Sequence, residues 1–209
     1  MKILIADDHT IVREGVRMVL KEAYPFAEIT EVSDSVSLLK QVTHETWDVI
    51  ICDISMPPGD SGLDALIKIK QHAPHTPVII LSMHAADQYA VRAIKAGASA
   101  YLNKGTATRE LVKAVNQVLS GKRYLSPEVA DILADACEHG NKGHTIDALS
   151  NRELEVFKLL ASGKSVSEAA KELFLNTNTI STFRARIFEK MGFANIMELI
   201  KYAVDQRLA

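Results

Sequence analysis

The first 120 residues repeat one pattern, in which a short apolar run is followed by an amphipathic stretch with helical periodicity. The five apolar runs are KILIA (2–6), EITEV (28–32), VIICD (49–53), VIILS (78–82) and SAYLN (99–103). Several runs are apolar at every position, which is typical of parallel strands that helices cover on both faces. Five strand–helix repeats therefore predict an α/β domain with a doubly wound, five-stranded parallel sheet.

Residues 149–209 contain no strand pattern and carry helix start signals instead. Ser150 is followed three residues later by Glu153, and Ser165 by Glu168, which is the spacing of a capping box. The segment predicts an all-α domain of four helices. Its second and third helices are close enough in sequence to form a helix-turn-helix.

The segment between these regions breaks the strand–helix rhythm. Pro127 follows Ser126, a pattern that predicts the start of a helix at 126–138. Residues 125–148 contain one basic and five acidic residues, which is typical of a solvated linker. The predicted organisation is a first domain at 1–120, a linker at 121–148 and a helical domain at 149–209.

Composition limits the possible classes of protein. A chain of 209 residues with 47% hydrophobic content can bury the cores of two domains. No apolar run approaches the roughly 20 residues that a membrane-spanning helix needs, and the N-terminus lacks a signal-peptide pattern. Cys52 and Cys137 fit no zinc or disulfide framework. We therefore expect a cytoplasmic protein without a membrane partner.

Charged and hydroxyl side chains follow several of the predicted strands. Asp7 and Asp8 follow the first strand, Asp53 ends the third, Ser82 ends the fourth and Lys104 follows the fifth. The carboxyl ends of parallel strands meet at one edge of a sheet, so these groups converge there. Clustered carboxylates favour a hard divalent cation such as Mg²⁺. An acid surrounded by a metal, a cation and a hydroxyl is suited to accept a phosphoryl group.

These motifs resemble those of a known family. The acidic pair, the D-x-x-M-P motif at 53–57, the serine and the lysine occur in the order found in response-regulator receiver domains. The stretch LSNRELEVFKLLASGKSVSEAAKELFLNTNTIS resembles the LuxR-type helix-turn-helix. Together they resemble the NarL/FixJ subfamily of two-component regulators. The resemblance implies a flavodoxin-like receiver and a phosphorylation-dependent, DNA-binding transcription regulator, with no enzymatic activity beyond slow self-dephosphorylation.

The resemblance also implies roles for residues of the receiver. Asp53 would be the phospho-acceptor. Mg²⁺ would be bound directly by Asp8, Asp53 and the backbone carbonyl of Ser55, with Asp7 acting mainly through water.

Further roles concern the switch between the two states of the receiver. Ser82 would hydrogen-bond the phosphoryl group, Tyr101 would change rotamer with it, and Lys104 would neutralise its charge. Ser55 and His84 would tune the lifetime of the phosphorylated state. The donor would be a sensor histidine kinase.

In the C-terminal domain the predicted recognition helix covers about 177–191, with Ile180, Phe183 and Ile187 facing inward. A recognition helix enters the major groove of double-stranded DNA. The candidates for base contact are Asn178, Ser181 and Thr182. The candidates for phosphate contact are Arg184, Arg186 and Lys190. The family position of the last helix, around 195–204, implies a homodimer seam.

Two alternatives remain open from the sequence. A phosphohydrolase with an aspartyl-phosphate intermediate would need a second acid two residues after the nucleophile, and that position is Ser55. A regulator that has lost DNA binding is the other alternative. Ser181 and Phe183 replace a lysine and a histidine of the usual LuxR-type pattern, which puts DNA affinity and base preference in question.

Overall fold

The chain forms two compact units, Met1–Glu138 and His139–Ala209. The computed structural model describes residues 1–56, 62–83, 86–139 and 146–206. The predicted linker is therefore described only in part: its residues up to 138 belong to the first unit, and residues 140–145 lie outside the described residues.

The first unit alternates strands with helices. Its strands are β1 (Lys2–Ala6), β2 (Glu28–Val32), β3 (Val49–Asp53), β4 (Val78–Ser82) and β5 (Ala100–Asn103). Its helices are α1 (Thr10–Ala23), α2 (Ser35–His44), α3 (Gly62–His72), α4 (Ala86–Lys95), α5 (Ala107–Leu119) and α6 (Pro127–His139). All strand pairs are parallel, in the order β2-β1-β3-β4-β5. The predicted doubly wound α/β fold is confirmed.

The core explains why the central strands are apolar throughout. Every residue of β3 and β4 is buried, because helices cover both faces of the sheet. One core cluster joins α1 and α5 to the sheet through Leu20, Ile51, Leu81 and Leu111, each at most 1% exposed. This rigid sheet fixes the positions of the side chains at its carboxyl edge.

Tyr124 extends the sheet beyond β5, which the sequence did not predict. Its backbone N–H donates to the carbonyl of Ser99 at 2.9 Å, and it forms a parallel bridge with Ala100. Its ring is 5% exposed and belongs to the core cluster. The start of the predicted linker is therefore part of the first unit's core, and α6 begins three residues after Tyr124.

The second unit is helical in its described residues. It contains a 3₁₀ turn at Ile146–Ala148 and the helices α7 (Asn151–Ala161), α8 (Val166–Glu172), α9 (Thr177–Met191) and α10 (Ile196–Asp205). Both predicted capping boxes are present: Ser150 pairs with Glu153, and Ser165 pairs with Glu168. Among the described residues, no helix combines the length and apolar character needed to cross a bilayer.

A turn of four residues joins α8 to α9 and gives the predicted helix-turn-helix. Asn176 caps α9 by accepting from the N–H of Asn178 at 2.9 Å. Gly192 ends α9 with a left-handed backbone, φ 70°. Ile180 and Ile187 are fully buried, as predicted, whereas Phe183 is half-buried.

Gly62 begins α3 directly against the end of β3. Its N–H donates to the carbonyl of Ile54 at 2.8 Å. A Cβ at this position would lie 2.0 Å from the backbone oxygen of Asp53 and 2.7 Å from the Cα of Ile54. Because both atoms belong to the backbone, no side-chain rotation can relieve the overlap. A glycine is therefore required where the chain returns past Asp53.

We predict that Gly62→Ala lowers the free energy of unfolding of the first unit by about 3 kcal/mol, because the backbones of α3 and β3 must separate. Gly15→Ala is the matched control. Gly15 lies in the exposed middle of α1, and no atom of the described part of the chain lies within 4 Å of its Cβ position. The control should raise stability by about 0.5–1 kcal/mol.

Urea unfolding followed by tryptophan fluorescence measures both variants. The single tryptophan, Trp47, is 6% exposed and lies in the first unit, so it reports on that unit. Equal changes in the two variants would contradict the close approach at Gly62.

Candidate functional site

The carboxyl edge of the sheet brings the predicted groups together. Asp7 and Asp8 directly follow β1, and Asp53 is the last residue of β3. Ser82 is the last residue of β4, and Lys104 directly follows β5. Asp7, Asp53 and Ser82 are at most 2% exposed. The fold thus buries two acids and a hydroxyl at one edge, where an apolar environment strengthens every charge interaction.

Lys104 joins two of these acids. Its Nζ donates a hydrogen bond to Asp53 Oδ2 at 2.7 Å and lies 2.8 Å from Asp7 Oδ2. The side chain of Lys104 is only 4% exposed. A buried ammonium that contacts two buried carboxylates is held by strong, weakly screened attraction.

The pKa values of this pair follow from burial and from charge. Burial raises the pKa of Asp53 above its usual value, against the opposing charge of Lys104, and the charge of Asp7 raises it further. The backbone N–H of Ser55 donates to Asp53 and opposes part of this rise, but the pKa of Asp53 stays above its usual value. Burial lowers the pKa of Lys104, but the charges of Asp53 and Asp7 outweigh this effect and raise it. Without a further cation, the carboxylates of the site outnumber the single ammonium of Lys104.

Two oxygen atoms at this edge are suited to a metal ion. Asp7 Oδ2 and Asp8 Oδ1 are buried and have no partner with hydrogen-bond geometry among the residues that the structure describes. Ligand atoms from Asp7, Asp8, His9 and Asp53 lie within 4.8 Å of one another. Three carboxylates, two of which have an oxygen without a hydrogen-bond partner, fit a hard divalent cation. The acid cluster predicted from the sequence is therefore present as one group.

The structure adds His9 to this group, which the sequence reasoning missed. Its Nδ1 lies 2.8 Å from Asp8 Oδ1 and 3.5 Å from Asp7 Oδ1, and its backbone N–H donates to Asp7 Oδ1 at 2.8 Å. The adjacency of His9 to the acidic pair was a signal that could have drawn attention to it. Arg13, also missed, donates to the carbonyl of Asp7 at 2.7 Å and fixes the turn after β1.

The predicted switch residues lie on neighbouring strands. Ser82 pairs in register with Asn103, and Ile80 pairs with Tyr101. Ser82 and Tyr101 therefore share one face of the sheet, because side chains alternate along a strand. Both are buried, at 0% and 1% exposure. Ser55 is half-buried beyond Asp53, whereas His84 lies outside the described residues.

Helix α9 presents most of the predicted DNA contacts on its exposed side. Ser181 is half-buried, whereas the exposed candidates are Asn178, Thr182, Arg184, Arg186 and Lys190. The hydroxyl of Thr182 donates to the carbonyl of Asn178 at 2.9 Å. Polar side chains at the start of the helix and arginines further along it suit a helix that enters the major groove.

Lys190 differs from the two arginines. Its Nζ donates to Glu153 Oε2 at 2.6 Å, and the Glu153 side chain is 3% exposed. Burial raises the pKa of Glu153, but hydrogen bonds from Lys190 and Ser150 outweigh it and lower that pKa. Lys190 was predicted as a phosphate contact. The structure gives its ammonium a partner on α7, so it holds the recognition helix in place.

We predict that Lys104→Met lowers the free energy of unfolding of the metal-free protein by about 3 kcal/mol, because two buried carboxylates lose their cation. Lys2→Met is the matched control. The Nζ of Lys2 also lies 2.7 Å from a carboxylate, that of Glu45, but both side chains are more than 40% exposed. An exposed pair adds little stability, so the control should change little.

Urea unfolding in the presence of EDTA, followed by the fluorescence of Trp47, compares the two variants. Similar small losses in both would contradict a stabilising role for the buried contact of Lys104.

Two family models match the chain. Residues 3–116 match the response regulator receiver domain, and residues 147–203 match the bacterial regulatory proteins of the luxR family.

Named relatives span the whole chain. The oxygen regulatory protein NreC of Staphylococcus carnosus is 34% identical over 215 residues, covering 100% of this chain and 99% of that protein. NreC of Staphylococcus epidermidis is 33% identical over 217 residues, with the same coverage.

Solved structures agree with these matches. RcsB of Salmonella enterica serovar Typhimurium, bound to the promoter P1flhDC with the phosphomimetic BeF3⁻, has a TM-score of 0.64. It is 29% identical and covers 97% of each chain. A LuxR-family response regulator from an Aurantimonas species has a TM-score of 0.59 and 33% identity, covering 66% of this chain and 97% of that one.

The acid cluster at the sheet edge, the helix-turn-helix and both family matches lead to one assignment. The chain belongs to the two-component response regulators that join a receiver domain to a LuxR-type helix-turn-helix domain, and it is a phosphorylation-dependent, DNA-binding transcription regulator and not a classical enzyme.

Proposed function

We propose that Asp53 accepts the phosphoryl group that controls this regulator. The observation that carries the proposal is the position of its carboxylate, which lies buried at the end of β3 and 2.7 Å from Lys104 Nζ. A carboxylate oxygen of Asp53 attacks phosphorus as the bond from phosphorus to the donor breaks. The chemistry of a phosphohistidine suits this step, so the donor is a sensor histidine kinase.

Lys104 supports the transfer by its charge. A phosphoryl group adds about 1.5–2 negative charges and three acceptor oxygens. The ammonium of Lys104 already lies against Asp53 and Asp7, so it can contact the new oxygens with little rearrangement.

Asp7, Asp8 and Asp53 offer the oxygen donors for Mg²⁺. We assign direct contacts to Asp8, Asp53 and the backbone carbonyl of Ser55, with Asp7 acting mainly through water. The buried, unsatisfied Oδ1 of Asp8 supports this assignment. When bound, Mg²⁺ neutralises charge on the phosphoryl oxygens and on the acids around them.

Ser82 and Tyr101 connect phosphorylation to the surface of the receiver. Ser82 ends β4, the strand next to β3, and we assign to its hydroxyl a hydrogen bond with the phosphoryl group on Asp53. Tyr101 lies on the same sheet face, two residues back in register. We assign to Tyr101 a change of rotamer that follows the turn of Ser82 and alters the surface of α4 and β5. We assign the tuning of phosphoryl lifetime and of self-dephosphorylation to Ser55 and His84.

The C-terminal domain binds double-stranded DNA through α9. We assign base contacts to Asn178, Ser181 and Thr182. Arg184 and Arg186 contact phosphates. Lys190 contacts a phosphate with the ammonium hydrogens that its bond to Glu153 leaves. We place this activity in the cytoplasm, where a regulator meets bacterial DNA.

The regulator acts as a homodimer on DNA. Helix α10 carries apolar side chains that its own unit leaves exposed: Met197 at 68%, Val204 at 61% and Ile196 at 37%. Exposed apolar side chains on one helix are typical of a protein interface. RcsB, a similar protein, is described as dimers bound to DNA. We assign these activities to a receiver at 1–120 and a DNA-binding domain at 149–209, joined by a segment at 121–148 whose first residues pack on the receiver.

We predict that Asp53→Asn abolishes labelling by acetyl phosphate, because the amide cannot attack phosphorus. The reaction in Mg²⁺ buffer is followed by intact-protein mass spectrometry. The control is Asp48→Asn, which changes an exposed acid just before the start of β3. The control should be labelled like the wild type, and EDTA should suppress labelling in both. Labelling of Asp53→Asn at the wild-type rate would refute the acceptor assignment.

We predict that Arg184→Ala weakens binding to duplex DNA of any sequence and reduces the slope of log affinity against log salt by about 1, because one phosphate contact is lost. Fluorescence anisotropy with a labelled duplex of random sequence measures the slope. Lys40→Ala, an exposed cation of the receiver, is the control and should leave the slope unchanged. An unchanged slope in Arg184→Ala would show that Arg184 contacts no phosphate. If the wild-type protein bound no duplex at all, the alternative of a regulator without DNA binding would be favoured.

A further inference from the structure

The edge of the receiver sheet opposite Asp53 contains a concave, positively charged pocket. It has a volume of about 440 Å³ and lies where the chain enters β4 and β5 and leaves α5. Its cations are Lys70, Lys95, Lys122 and Arg123, with His75 beside them. This size is within the range of pockets that bind small molecules.

The positive charge of the pocket is not neutralised. Among the residues that the structure describes, none that lines the pocket is acidic, and none of its four cations forms an ion pair. Other cations of the same unit do have acidic partners. Arg13 and Arg17 both pair with Glu31, and Lys104 pairs with Asp53. Four cations without counter-ions around one concavity create a strong local field for an anion.

Lys70 is fixed in this arrangement by the backbone around it. Its Nζ donates to the carbonyl of Thr76 at 2.7 Å and, with a longer bond of 3.5 Å, to that of Pro74, which leaves one ammonium hydrogen for a ligand. Its methylene chain passes Gly97, whose φ is 100° and whose Cβ position is 3.3 Å from the Lys70 side chain. Burial, and then the charge of Arg123, lowers the pKa of Lys70. Lys70 is therefore held half-buried beside a like charge, an arrangement that an anion would stabilise.

We propose that this pocket binds a small anion that carries a chain of phosphates, either as free oligophosphate or as part of a nucleotide. Cations from the end of α3, the end of α4 and the segment after α5 can contact successive phosphates, and an arginine and lysines are suited to phosphate oxygens. The concave shape favours a compact ligand over duplex DNA, which binds along extended basic surfaces.

The location gives such a ligand access to the link between the two domains. Arg123 directly precedes Tyr124, which bridges to β5, and the carbonyl of Ser99, another lining residue, accepts the Tyr124 N–H. A ligand that contacts Lys122 and Arg123 therefore acts on the segment that leads into α6. This site is separate from the one proposed for phosphorylation, so it can act on the regulator independently.

The proposal is tested by isothermal titration calorimetry of the full chain with inorganic tripolyphosphate, at low ionic strength and with EDTA present. The wild type should bind at one saturable site. The double variant Lys122→Glu/Arg123→Glu should bind at least about tenfold more weakly, because two exposed contacts are replaced by repulsion. Both side chains are exposed, so the fold should persist, which circular dichroism checks.

The matched control is Lys40→Glu/Arg109→Glu, which makes the same charge change at two exposed positions outside the pocket. It should bind tripolyphosphate like the wild type. ATP as a second titrant distinguishes the two sources: tighter binding of ATP assigns the site to nucleotides, and equal binding assigns it to the phosphate chain alone. Asp53 labelling by acetyl phosphate should be unchanged in the pocket variant, which separates this proposal from the proposed function.

Three results would overturn the proposal. The first is that the wild type shows no saturable binding of tripolyphosphate. The second is that the control variant loses as much affinity for tripolyphosphate as the pocket variant does. The third is that the pocket variant loses duplex DNA binding while its affinity for tripolyphosphate is unchanged. The last result would identify the pocket as part of a DNA-binding surface.

Discussion

The contact of Lys104 with Asp7 and Asp53 is the interaction on which the receiver site depends. Two buried carboxylates in one apolar region repel each other, and burial alone would favour their neutral forms. The ammonium opposes both effects, and it comes from the loop after β5, while the acids come from the ends of β1 and β3. The site therefore exists only when three strands are in their native order. The reactive group of side chains therefore forms only when the sheet folds.

The helical domain also pairs a buried carboxylate with a lysine. Glu153 is buried at the start of α7 and receives the ammonium of Lys190, which is 37 residues away on the recognition helix. The same carboxylate completes the capping box with Ser150. One acid thus fixes both the start of α7 and the position of α9. In both domains a buried acid contacts a lysine from a distant part of the chain.

The sequence predicted those features that depend on local pattern. The run at 78–82 and the Ser150 cap are decided by neighbouring residues, and the structure places both as predicted. Gly62, Tyr124 and the Lys190 contact depend on what lies close in space but distant in sequence. A glycine, a tyrosine after a helix or a lysine near a helix end has many ordinary explanations, so no pattern singled them out. The basic pocket likewise combines three segments that are far apart in sequence.

The bridge of Tyr124 to β5 has a consequence for how the protein associates. An exposed sheet edge offers unpaired N–H and C=O groups to a strand of another molecule. Here β5 has only four residues, and Tyr124 occupies the backbone beside its first one. The other edge, β2, exposes Glu28, whose charge opposes the approach of a similar strand. Neither edge favours the addition of a strand, which protects the receiver from edge-to-edge aggregation. Reversible assembly of the receiver is then expected to use its helices.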